Sequence, residues 1–218
     1  MRKNKSYFLI IPTLFVILAT LFSCKNESVE PLPKFNRFDI APMDMDGFKQ
    51  GDTIFHKMEE WEYLNEDSVV FSSTDIKGKI WIANFFFSYC PTICKPMNLE
   101  MKEINHQLQE YKDEIAFISF SIDEKRDSPS RLRRYKELLE ITADNWTFLT
   151  GNQSLIYDMA YNDFLLLAEE DDSAPGGFIH SSNLVLVDQD GFIRGFYDTQ
   201  IPEQRKRIVS DVKRLLNK

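Results

Sequence analysis

Ile80 to Phe87 is apolar apart from Asn84 and rich in aromatic and β-branched residues. Such a run predicts a strand buried on both faces, as in the middle of an α/β sheet. Cys90 and Cys94 follow it, with Pro91 between them. Met97, Met101, Ile104, Leu108 and Tyr111 then recur at helical spacing, which predicts an amphipathic helix. Pro96 suits the first turn of that helix, where its missing N–H costs nothing. The two thiols therefore fall where a central strand hands over to a helix, the usual place for a ligand or a reaction in an open α/β sheet. A helix N-terminus also favours the thiolate, the form that binds metals and attacks disulfides.

The same patterning organises the rest of the chain. Thr53 to Phe55, Trp61 to Leu64 and Val69 to Phe71 are short and strand-like and predict an N-terminal hairpin on one edge of the main sheet. His56 in that region reads as a surface group, and His106 faces away from the apolar stripe of the first helix. Ile115 to Ile122 predicts a second buried strand, and Ser128-Pro129 an N-cap and first-turn pair for a helix carrying Leu132, Tyr135, Leu138 and Leu139. Trp146 to Leu149 reads as a third strand, Ser154 to Tyr161 as a short helix and Phe164 to Leu167 as a further short strand. Glu169 to Gly177 is acidic and reads as a solvated loop, with partner docking as the alternative. Asn183 to Val187 and Phe192 to Tyr197 flank Asp188-Gln-Asp-Gly191, the expected turn chemistry of a hairpin. Ile208, Val212, Leu215 and Leu216 mark a closing helix. This order predicts an α/β, thioredoxin-like fold with an N-terminal β-hairpin and an inserted C-terminal β-hairpin.

A length of 218 residues suits one domain with a real core, and 18 Phe again point to a packed body. The net charge of −8 speaks against nucleic acid as a partner. Residues 1–24 read as an address: Arg2, Lys3 and Lys5 precede the mostly apolar run Phe8 to Phe22. The ending Leu21-Phe22-Ser23-Cys24 resembles the lipobox of bacterial lipoproteins, in which the cysteine becomes the lipidated first residue. An uncleaved transmembrane anchor is the alternative, for which the apolar run is short. Either way the domain is expected outside the cytoplasm, in the cell envelope on the periplasmic side, held to a membrane. Residues 25–50 read as a flexible linker and 51–218 as the folded domain.

Setting Cys24 aside leaves Cys90 and Cys94 as the domain's thiols, in a compartment where disulfides persist. They can pair with each other, with a metal or with a partner's thiol. Their spacing is C-x-x-x-C, one residue longer than the thioredoxin motif. Two thiolates on one turn suit a soft cation, Cu(I) best and Zn(II) next. His180 lies outside the amino-terminal hairpin and the first helix and precedes a strand from which a loop can reach the cysteine edge. Spacing alone leaves its ligation open.

Phe85-Phe-Phe-Ser-Tyr-Cys-Pro-Thr-Ile-Cys94 resembles the F-x-x-x-x-C-P-x-x-C signature of the Sco/SenC family, copper-binding assembly factors for cytochrome c oxidase. Ile118-Ser-Phe-Ser-Ile-Asp-Glu-Lys-Arg-Asp-Ser-Pro129 is similar to the family's S-V-D-P-x-R-D-T-P segment, and His180-Ser-Ser-Asn to its D-H-S segment. The resemblance implies copper, as Cu(I) or Cu(II), held by Cys90, Cys94 and His180, with Pro91 and Asp123 supporting the site and Asp123 and Arg126 ordering a loop. It implies a metallochaperone that delivers copper to the copper-binding subunit of a terminal oxidase, with other copper chaperones or thioredoxin-like reductants as further partners. The alternative is a thiol-disulfide oxidoreductase in which Cys90 and Cys94 are catalytic and reduce the oxidase's copper-site cysteines. A structural disulfide is the third reading. Whether the protein is an enzyme stays open, since ligand exchange needs no turnover and disulfide exchange does. Three positions depart from the family pattern: Lys95 stands before Pro96, Ile179 replaces the Asp before the His, and Glu124 replaces a Pro.

Overall fold

In a computed structural model the described residues are 31–45 and 47–217. Cys24 and the rest of the leader lie outside them. The central strand, β5 (Ile80–Phe86), has all seven residues buried. It pairs in parallel with β6 (Ile115–Ser121) along its whole length, and β6 pairs in parallel with β7 (Trp146–Thr150). The predicted C-terminal hairpin is β10 (Asn183–Val187) and β11 (Ile193–Asp198), with β10 antiparallel to β5. At the other edge β3 (Glu62–Asn65) and β4 (Val70–Ser72) form the predicted N-terminal hairpin and pair with β7. The seven-stranded order is β11-β10-β5-β6-β7-β3-β4. Cover packed on both faces of the sheet is what lets β5 and β6 be apolar on both.

Four helices complete the layers: α1 (Cys94–Gln107), α2 (Pro129–Leu138), α3 (Gln153–Asn162) and α4 (Pro202–Leu216). On one face Phe86 stacks on Tyr135 of α2 and Asn84 donates to Asn98 of α1 at 2.8 Å. Arg205 of α4 reaches Glu100 of α1 at 2.9 Å. On the opposite face Phe85, Trp81 and Phe120 pack around Phe164 just beyond α3. Ser128 caps α2, its hydroxyl accepting from the Arg131 N–H, and Pro129 occupies the first helical position as predicted. Leu138 departs from the predicted stripe and is exposed, because the helix ends there and Leu139 turns inward instead. Among the described residues no helix is long and apolar enough to cross a membrane.

Two segments differ from the sequence reading. The linker expected to run to residue 50 is built into the domain from Leu32 onward. Leu32 and Asn36 are buried, Arg194 donates to the carbonyls of Leu32 and Pro33, and the Phe35 N–H donates to Ile193 at 3.0 Å. β1 (Phe38–Ile40) then pairs with β2 (Thr53–Phe55) as a separate ribbon, so β2 is not part of the edge hairpin. His56 is a surface group there, 2.8 Å from Asp39. Polar composition and two prolines hid this, since the segment is held by main-chain and Arg194 contacts instead of an apolar stripe. The second difference lies beyond α3. Phe164 to Leu167 is a turn, with Leu165 at a φ of 55°, and the strand is β8 (Ala168–Glu170). It pairs antiparallel with β9 (Phe178–His180), so the acidic stretch forms a hairpin and not a loose loop.

Candidate metal centre

Cys90 lies in the loop after β5, and Cys94 opens α1 as its first residue, buried at 1% exposure. Ser88 anchors the start of that loop. Its N–H donates to the buried carboxylate of Asp127 at 2.8 Å, its hydroxyl donates to the same group, and Arg131 donates to the Ser88 hydroxyl at 2.9 Å. Ser121 at the end of β6 also donates to Asp127. One carboxylate thereby ties the ends of the two central strands together below the cysteines. Burial pushes the Asp127 carboxyl above the ordinary range, opposed by these hydrogen bonds.

His180 ends β9 and reaches the thiols from the far side of the sequence. Its Nε2 is 3.1 Å from the Cys94 sulfur, and its Nδ1 is 3.0 Å from the Ser181 carbonyl oxygen. A carbonyl can only accept, so Nδ1 carries the proton and the Nε2 lone pair faces the thiols, the tautomer a metal needs. The donor atoms of Cys90, Cys94 and His180 all lie within 4.8 Å of one another. Donors about 2.0–2.3 Å from one ion require separations of this order. Two thiols and a neutral imidazole form a soft, borderline donor set, and it fits copper.

The hairpin that presents His180 is fastened at several points. Phe87 packs on Phe178 and edge-on to His180. Asp123, buried and paired with Arg126, aims that guanidinium at the Gly176 carbonyl, to which it donates at 2.9 Å. Lys125 reaches Glu170 of β8 at 3.0 Å. Gly176 has a φ of 84°, and a Cβ there would sit 2.8 Å from the Phe87 ring and 3.0 Å from Pro91. Only glycine allows so close an approach in that backbone conformation. The segment Asp123 to Pro129 makes no hydrogen bond to the three donors and instead clamps the hairpin that carries one of them.

Sequence reasoning reached both thiols and the histidine, and it took Asp123 and Arg126 as loop-ordering groups. It passed over Asp127 and Gly176. Asp127 sits in a polar segment that gives no sign of its burial, whereas the glycine pair 176–177 is a turn signal that the sequence reading takes only as part of a solvated loop. The three departures now have surroundings. Glu124 accepts from the Gln153 N–H at 3.0 Å, at the start of α3, where a carboxylate is favoured by the helix dipole. Lys95 is exposed on the first turn of α1, and Ile179 stands opposite Glu169 in the hairpin.

The thiols are not equivalent. Hydrogen bonding from Cys94 lowers the Cys90 pKa to about 3, against an opposing effect of burial. Burial first, and then the Cys90 thiolate, push Cys94 far up. One proton is shared, and it stays on the buried sulfur. Iodoacetamide applied to the reduced, metal-free protein at about pH 5, well above the Cys90 value, is therefore expected to label Cys90 and leave Cys94 untouched. Peptide masses report the outcome, and equal labelling would contradict the asymmetry.

Fold and site together define a thioredoxin-like domain with a Cys-x-x-x-Cys/His metal centre. Residues 50–217 match the family described as SCO1/SenC, and the chain belongs to that family. The SCO1 protein homolog of Bacillus subtilis is 32% identical over 163 residues, 74% of this chain and 84% of that protein. The crystal structure of a SCO1/SenC family lipoprotein from Bacillus anthracis superposes with a TM-score of 0.68 at 31% identity, covering 73% of this chain and 95% of the other. BsSco, described as a member of the Sco family of cytochrome c oxidase assembly proteins and as having a disulfide switch, gives 0.64 at 32% identity over 72% and 92% of the two chains.

Proposed function

We propose that this protein binds copper through Cys90, Cys94 and His180 and delivers it to the copper site of a terminal cytochrome c oxidase, working outside the cytoplasm from a lipid anchor on Cys24. The convergence of two thiols and a neutral imidazole within 4.8 Å carries the reading. Copper is cargo here, and three donors leave room for an incoming ligand from the recipient. As copper binds, Cys94 gives up its proton, so binding releases protons and strengthens as pH rises. Pro91 and Asp123 support the site indirectly, one by packing at Gly176 and the other by holding Arg126. The description of BsSco as an oxidase assembly protein is what supports the oxidase as recipient.

One observation favours a second reading, reduction of the oxidase's copper-site cysteines. Cys90 is partly exposed and held as thiolate. In that step the Cys90 sulfur attacks a partner disulfide and the partner's first thiolate leaves. Cys94 then loses its proton and attacks the mixed disulfide, leaving a Cys90–Cys94 disulfide and two reduced partner thiols. An external thioredoxin-like reductant must restore the pair.

The test is oxidase copper content in cells lacking the gene and complemented with variants. The chain itself is expected to restore copper, and Cys90→Ser to fail under either reading. Failure of His180→Ala supports delivery; full restoration by it would sink delivery in favour of reduction. Normal oxidase copper in the deletion strain would remove both.

A further inference from the structure

The ribbon of β1 and β2 carries apolar side chains that the domain leaves more than a third exposed. Phe38 and Ile40 share one face of β1 and are 57% and 53% exposed, and Met43, Met45 and Phe48 continue the exposed apolar surface through the following turn. A two-stranded ribbon with an open apolar face is marginal in water, and contiguous apolar surface of this kind marks an interaction site.

Three observations identify the occupant. First, Cys24 lies eight residues before Leu32, at most about 28 Å of extended chain. Second, four basic and four acidic side chains balance over residues 32–57, in a chain whose net charge is −8, although the ribbon within that stretch holds four Asp and one Lys. A zwitterionic headgroup layer tolerates this balanced module, whereas an anionic one repels the ribbon's aspartates along with the rest of the chain. Third, the module lies at the end of the sheet away from the thiols. Met58 donates to Gly191 at 3.3 Å in the β10–β11 turn, and Val187 before that turn pairs with Trp81 at the start of β5. Cys90 follows the other end of β5, about 20 Å away at strand rise.

We propose that the β1–β2 ribbon, with Met43, Met45 and Phe48, forms a membrane-interface surface that seats on the lipid bilayer, with the metal centre facing away from it. The proposal rests on the lipid-anchor reading of Cys24. The acyl chains give attachment, and the ribbon gives orientation, burying Phe38, Ile40 and Met43 at the headgroup boundary as an interfacial apolar face does.

The lipidated full-length protein, reconstituted in vesicles with brominated acyl chains, tests it. Phe38→Trp and Met43→Trp report the ribbon, and Leu155→Trp reports an exposed position on the first turn of α3 at the thiol end. Trp61, Trp81 and Trp146 are buried and give a common background. Quenching at 38 and 43 is expected to exceed that at 155 several-fold. Equal quenching at all three positions would overturn the seat, as would self-association in detergent with no quenching, which would assign the face to a second copy. The mass of the N-terminal peptide reads the anchor separately. An unmodified Cys24 with quenching at 38 intact would remove the anchor and keep the surface.

Discussion

Replacing His180 with Ala is expected to weaken Cu(I) binding by about 100-fold or more, while both thiols keep their reactivity. Disturbing a group that merely supports a metal ligand costs 10–100-fold, and this change removes a ligand. The imidazole is also the donor already prepared for the ion. Its Nδ1 proton is engaged by the Ser181 carbonyl, so Nε2 faces the thiols without a change of tautomer. Cys94, in contrast, must shed a proton that burial holds in place. Competition against a chromophoric Cu(I) chelator measures the loss, and thiol titration of the same sample shows that the fold and the cysteines survive. Unchanged affinity would remove His180 from the site.

Asp127→Ala is expected to destabilise the domain by about 2–3 kcal/mol although it touches no donor atom. The carboxylate is fully buried and accepts from the Ser88 N–H and from the hydroxyls of Ser88 and Ser121. The hydroxyls can turn elsewhere, since Ser88 already accepts from Arg131, but the backbone N–H cannot. An unsatisfied buried donor costs about 1–3 kcal/mol, and the emptied volume adds to that. For a domain of this size the midpoint of thermal unfolding falls by roughly 5–10 °C. Asp127→Asn, which keeps one acceptor for Ser88, should recover about half of the loss. A midpoint unmoved by Asp127→Ala would show that the Ser88 anchor is dispensable.

The legible parts of this protein were those where burial is uniform along the chain. β5, β6 and the stripe of α1 announced themselves because every residue of the strands, and every third or fourth of the helix, must avoid water. The cysteines could be located because they directly follow such a strand. The β8–β9 hairpin escaped notice for the opposite reason: its strands are three residues long and only partly buried, and they are held by Phe87, Arg126 and Lys125 from distant parts of the chain. No local pattern encodes those contacts. His180 was found through the family motif, and its reach to Cys94 came from a register that the sequence does not display. The segment from Leu32 was hidden likewise, because its partners Ile193 and Arg194 lie some 160 residues away.

β5 is laced to neighbours along both edges, and Cys94 is locked into the opening turn of a fourteen-residue helix. The sulfurs are therefore the fixed jaw of the clamp. His180 rides on a three-rung ladder separate from the main sheet, and a short ladder of that kind is the part of a fold that opens at least cost. If the chain delivers copper as proposed, release would begin with the imidazole letting go while the two sulfurs keep their hold until the recipient's ligands arrive.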